Sequence, residues 1–150
     1  MSADKEKIKV LFLCTANACR SQIAEGWAGH LKSDCIEAFS AGTSPAVLSQ
    51  TAVEVMAEAG VDISHQKSKR ISDLSGISFD YVITLCDNAS GNCPVFPGNV
   101  RHIHKPFPDP AFTAGTRREI LTAFRNIRDR IKDFVRKMPE ILETEYNKQK

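Results

Sequence analysis

The sequence predicts an α/β protein, a parallel sheet covered by helices on both sides, and two observations carry that expectation. Short apolar runs alternate along the chain with segments whose apolar residues recur at helical spacing. The runs themselves, such as Val10-Leu-Phe-Leu13 and Tyr81-Val-Ile-Thr-Leu85, are apolar without a polar alternation, as strands buried on both faces are.

Lys7 to Leu13 reads as the first strand. Ser21 to Leu31 follows as a helix with Ile23, Trp27 and Leu31 on its inward stripe and Ala24 and Ala28 alongside, which makes Trp27 a core residue. Ile36 to Ser40 is a second strand ended by Ala41-Gly42, with Cys35 a packed thiol just before it. Thr51 and Glu54 have capping-box spacing, and Ala52, Val55, Met56 and Ala59 form an apolar face that stops at Gly60, so a second helix belongs there. Val61 to Ser78 is mixed and polar, with a short helix around Ser72 to Leu74, before Tyr81 to Leu85 forms the third strand. Val100 to His104 is the fourth, after which Pro106, Pro108 and Pro110 force an extended loop around Asp109. Ile120, Phe124, Ile127, Ile131, Phe134 and Met138 then recur at helical spacing until Pro139, with Arg and Lys on the opposite, solvated face.

A chain of 150 residues, 42% apolar and 25% charged, suits one domain over 1–150 with its core in about 7–138. A net charge of +2 gives no global field for nucleic acid, and no basic stripe interleaved with aromatics is present. No apolar stretch approaches the roughly 20 residues of a bilayer span, and a polar amino terminus runs straight into the first strand, so a cytoplasmic protein away from the membrane is expected. Five cysteines, an odd number without a secretory signal, argue for reduced thiols with catalytic, redox or metal roles.

The first of these is the most informative. Cys14-Thr15-Ala16-Asn17-Ala18-Cys19-Arg20-Ser21 joins a strand to a helix, so successive backbone N–H groups can converge on one point with the positive end of the helix behind them. A tetrahedral oxyanion fits there. Arg20 adds a planar fork for two of its oxygens, and the same positive field favours the reactive thiolate of Cys14. Asn17 tolerates the left-handed backbone that a tight loop needs, and Ser21 can donate its hydroxyl to the sulfur. Cys19 is packed or redox-sensitive and carries no essential role.

Sites in parallel α/β folds gather at strand carboxyl ends, where Cys14, Cys86 and the loop of Asp109 all fall. Two prolines stiffen the backbone around Asp109 and aim it as a proton donor to a departing oxygen, or leave it simply capping its own loop. Cys86 and Cys93 bracket a polar span, 87–92, and suggest a relay: Cys86 attacks the adduct on Cys14, and Cys93 takes over the resulting disulfide. Zinc held by Cys86, Cys93, His102 and His104 is an alternative, with a cysteine spacing longer than structural zinc prefers. His102 and His104 share one face of a strand, and His30 and His65 read as surface residues.

Taken together, Leu11-Phe-Leu-Cys14-Thr-Ala-Asn-Ala-Cys19-Arg20-Ser21-Gln22, Ala24-Glu25-Gly26-Trp27, Thr84-Leu85-Cys86, Cys93-Pro94 and Asp109-Pro110-Ala111 resemble the thioredoxin-coupled arsenate reductases, which share the low-molecular-weight tyrosine phosphatase fold. The resemblance spans about residues 8–138. It implies a three-layer α/β/α domain with a four-stranded parallel sheet, and a substrate that is arsenate or a phosphate-like oxyanion. It further implies Cys14 as nucleophile, Arg20 and the amides of 15–21 as oxyanion binders, Ser21 as thiolate stabiliser, Asp109 as general acid, and Cys86 with Cys93 as a relay regenerated by thioredoxin or a related reductant. No organic cofactor and no metal are implied.

Two departures stand out. Ala16 and Ala18 replace the family's usual glycine and serine, and Ala16 would restrict the loop if its backbone needed positive φ. Some relatives hold potassium near Asn17 and Glu25 with downstream Thr and Asp, where this chain has Lys67 and Lys69, so a lysine ammonium is expected in place of the ion. The rival activity is phosphate ester hydrolysis through a phosphocysteine. Phosphatase relatives place aromatic residues just after the Asp-Pro pair, where Ala111 offers none, although Phe112 is near.

Overall fold

The computed structural model describes residues 6–86, 96 and 98–149. Strands β1 (Ile8–Cys14), β2 (Ile36–Gly42), β3 (Tyr81–Thr84) and β4 (Arg101–His104) form one parallel sheet in the order β2-β1-β3-β4. The chain leaves β1 toward β2 on one side and returns to place β3 on the other, so the order reverses between β1 and β3. The crevice beyond their carboxyl ends is where such sheets bind ligands. Leu13 pairs with Thr84 across that junction, which sets Cys14 and Cys86 at adjoining strand ends.

Helices α1 (Arg20–Leu31), α2 (Gln50–Glu58), α3 (Arg117–Arg136) and α4 (Glu140–Lys148) contribute to the larger core, packing Ile23, Trp27, Val55, Phe124, Ile131 and Leu142 with Val10, Phe12, Ile83 and Ile103 of the sheet. Leu11, Leu13 and Val82 point to the opposite face, where a 3-10 helix, Ile71–Leu74, and Phe79 cover them. Trp27 is buried as expected, its indole N–H donating to the Arg128 carbonyl at 3.1 Å.

Three elements differ from the sequence reading. The cap of α2 is Ser49, whose hydroxyl accepts from the Ala52 amide, because Arg117 claims both members of the expected capping pair: it donates to the Thr51 hydroxyl at 3.0 Å and pairs with Glu54. The capping box belongs instead to Thr116 and Glu119 at the start of α3. Past Pro139 the chain forms α4, and Leu142 of that helix is fully buried, so the core extends beyond residue 138.

Helix α4 also closes an edge of the sheet. The backbone N–H of His104 on β4 donates to the Gln149 side chain at 2.9 Å, and the Gln149 amide donates back to the His104 carbonyl at 3.1 Å. A side chain thus takes the place of a fifth strand at that position. No helix among the described residues is long and apolar enough to cross a membrane.

Candidate active site

The turn between β1 and α1 is held open from outside. Behind β2 the amides of Ser44, Ala46 and Ser49 each donate, at 2.9 Å, to the carbonyls of Thr15, Ala16 and Ala18. With these carbonyls drawn outward, the loop's own amides are left for an anion. No side chain caps the first turn of α1 and no acidic residue lies in it, so its amides and positive dipole end add to the same field.

Asn17 has φ of 50°, the left-handed conformation expected of it, whereas Ala16 has no positive φ, so the restriction that a positive φ would place on an alanine does not arise. Gly42 explains how tightly the loop is seated. A Cβ there would lie 2.5 Å from the Thr15 carbonyl oxygen and 2.9 Å from that of Cys14. The one-dimensional pattern marks this glycine only as a strand end, because the approach is made by backbone remote in sequence.

Cys14 is 2% exposed, with Sγ 2.9 Å from the Ser21 hydroxyl. Asn17 engages the same hydroxyl. Its side-chain oxygen accepts from the Lys69 amide at 2.8 Å and from Gln22 at 3.1 Å, so its NH2 group is the one that faces Ser21, donating at 2.8 Å. Ser21 therefore accepts from Asn17 and keeps its own proton available for the sulfur. Cys19, beside this network, has its thiol pushed well up by burial, then by the charges of Asp109 and Cys14, against the opposing Arg20. It stays a protonated thiol at neutral pH.

Arg20 is 7% exposed, and its guanidinium links the loop to the rest of the crevice. It donates to the carbonyls of Phe107 at 3.0 Å and Leu85 at 3.4 Å, and to the Asp109 carboxylate at 3.2 Å. One oxygen of Asp109 caps its own loop, accepting from the Ala111 amide at 2.9 Å, and the other faces Arg20. The loop that carries it extends the β3 ladder, with Lys105 and Phe107 donating to Thr84 and Leu85.

Cys86 is buried at the end of β3 and is disulfide-bonded, whereas Cys14, Cys19 and Cys35 are free thiols. Cys93 and the span 87–92 lie outside the described residues. His102 and His104 share a face of β4, but their rings are engaged separately: His102 Nε2 accepts from the Phe96 amide at 3.2 Å, and His104 Nδ1 lies 2.8 Å from the Thr84 hydroxyl. Among the described residues no group of three His, Cys, Asp or Glu is placed to hold a metal. His30 and His65 are exposed.

Lys69 lies beside Glu25. Its ammonium lies 3.7 Å from Glu25 and donates at 2.8 Å to the Lys67 carbonyl, which also accepts from Gln22 at 3.0 Å. Lys67 contributes backbone there. Ser68 completes the cradle by donating to the Asn17 carbonyl at 2.9 Å.

A model of the low molecular weight phosphotyrosine protein phosphatase family matches residues 9–149. The chain belongs to this family. Among members of the family it is 43% identical over 132 residues to an arsenate reductase of Shouchella clausii, across 87% of this chain and 94% of that one. It superposes on a structure described as an arsenate reductase in the phosphate binding state with a TM-score of 0.68 and 33% identity, covering 85% of this chain and 93% of that one. The thioredoxin-dependent arsenate reductase of Corynebacterium glutamicum aligns with a TM-score of 0.61 and 30% identity, over 87% of this chain and 61% of its own. The family's four-stranded parallel sheet with flanking helices is the fold described above. Within it this chain is an arsenate reductase-type member.

Proposed function

We propose that this chain reduces arsenate to arsenite through a relay of three cysteines. The observation that carries the reading is the position of Cys14 and Cys86 at adjoining strand ends, the first hydrogen-bonded to the Ser21 hydroxyl and the second in the disulfide-bonded form. In this reading the amides of 15–21 and Arg20 bind arsenate, and the Cys14 thiolate attacks arsenic. Asp109 protonates an oxygen that departs as water. Cys86 then attacks the sulfur of Cys14. The electron pair of the sulfur–arsenic bond stays with arsenic, which leaves as arsenite, and a Cys14–Cys86 disulfide remains. Cys93 attacks Cys86 and frees Cys14, and a dithiol of the thioredoxin type reduces the last disulfide.

Arg20 moves between partners in this scheme. It holds the Asp109 carboxylate before substrate arrives, and the oxyanion then competes for the same fork. Lys69 serves as the resident cation beside Glu25 in place of potassium.

The competing reaction, water attacking a phosphocysteine on Cys14, needs neither Cys86 nor Cys93. Arsenite formation with a thioredoxin system and aryl phosphate hydrolysis are therefore measured side by side. Cys14→Ser is expected to remove both activities, by about a thousandfold or more. Cys86→Ser should abolish arsenate turnover while sparing most hydrolysis, and undiminished arsenate turnover in that variant refutes the relay.

A further inference from the structure

Val47 and Phe112 are the large apolar side chains that stand open to solvent among the described residues, each 86% exposed. They occupy the two walls of the anion loop. Val47 lies on the segment whose amides draw the loop carbonyls outward, and Phe112 ends the short 3-10 helix, Pro110–Phe112, that follows Asp109. The walls converge where Arg117, at the start of α3, donates to Thr51 near the start of α2.

Their composition is unusual for this chain. From Thr43 to Val53 no residue is charged, and from Pro106 to Thr116 only Asp109 is, in a molecule one quarter charged. The Asp109 charge is turned inward onto Arg20. Ala46, Pro108 and Ala111 are exposed on the same stretches. A surface region poor in charge with an open aromatic at its edge has the make-up of the middle of a protein contact. An inorganic oxyanion seated on the loop amides and Arg20 gives these rim side chains nothing to bind.

We propose that the Val47 and Phe112 rim is the docking surface for the protein dithiol that regenerates the enzyme, a proposal that rests on the arsenate-reducing function above. Cys86 follows β3, which stands in the sheet between β2, after which Val47 comes, and β4, after which Phe112 comes. Reduction there requires one thiolate of the partner to attack a sulfur of the Cys86 disulfide, releasing the other sulfur as a thiolate. The partner's second thiol then attacks the mixed disulfide. Two electrons and two protons pass to this chain, and the partner leaves with its own disulfide. A protein can deliver that thiol only by seating a surface around it. A small dithiol needs no such seat, and this difference supplies the test.

Arsenate turnover is measured for the parent, Val47→Ser, Phe112→Ser and the double variant, once with thioredoxin and its NADPH-dependent reductase and once with dithiothreitol. The KM for thioredoxin should rise about fivefold or more in Phe112→Ser and further in the double variant, as at contact hot spots. Turnover with dithiothreitol should stay within about twofold of the parent, since neither side chain contacts the reacting atoms. An unchanged KM for thioredoxin overturns the proposal, and so does an equal loss with both reductants. It also falls if the parent is a dimer that these substitutions dissolve, or if they lower only aryl phosphate hydrolysis, since another occupant then holds the rim. A parent inactive with both reductants defeats the arsenate-reducing function itself, whereas an active parent with unaffected variants defeats only the docking surface.

Discussion

Ser21 faces two ways, and its chemistry depends on which partner gives and which receives. Because Asn17 is fixed by the Lys69 amide and Gln22, it donates to Ser21, and the hydroxyl proton is left for Cys14. Ser21→Ala removes the hydrogen bond to the Cys14 sulfur, a loss of about tenfold. It should appear both in arsenate turnover and in the rate at which iodoacetamide alkylates Cys14 at neutral pH. Cys19 should resist the same reagent, since burial keeps its thiol protonated. Cys14, Arg20, Ser21 and Asp109 were legible in the sequence because each follows a strand and the spacing within a strand-to-helix turn is fixed by local geometry. The Asn17 network was only half legible: its left-handed backbone follows from its residue type, but its partners at 68 and 69 arrive by tertiary folding.

At the scale of elements, the anion loop owes its shape to the chain beyond β2. Gly42→Ala places a methyl against two loop carbonyls that belong to backbone and cannot yield cheaply. Phosphate binding followed by calorimetry should weaken about tenfold or more, with the circular dichroism of the fold retained. Thr116→Ala tests a different join. It removes the hydroxyl of the α3 capping box and should cost about 1 kcal/mol, a fall of about 2–4 °C in thermal midpoint, with catalytic constants unchanged. The sequence placed a capping pair at Thr51 and Glu54 for a sound local reason, and Arg117 overrode it by binding both side chains. Ser49 took the cap, two residues nearer the loop it helps to hold. Helix α4 was hidden for another reason: the proline before it reads as a stop, and Leu142 is the only fully buried side chain on its nine residues.

Across the whole molecule, the alternation of apolar runs and helical stripes was enough to give the parallel sheet, and the strand-end rule was enough to put the chemistry on one rim. What pattern could not give is the order β2-β1-β3-β4, whose reversal between β1 and β3 makes Cys14 and Cys86 neighbours. The outer flank of the same sheet is governed by Gln149, whose amide mimics a peptide group against His104. Gln149→Leu removes both of these hydrogen bonds at the border of β4, while every group of the catalytic crevice stays in place. Light scattering at rising protein concentration should then reveal chains joining border to border, with initial rates per monomer unaltered in dilute solution. One glutamine thereby supplies both a donor and an acceptor at the border where a second chain would otherwise add.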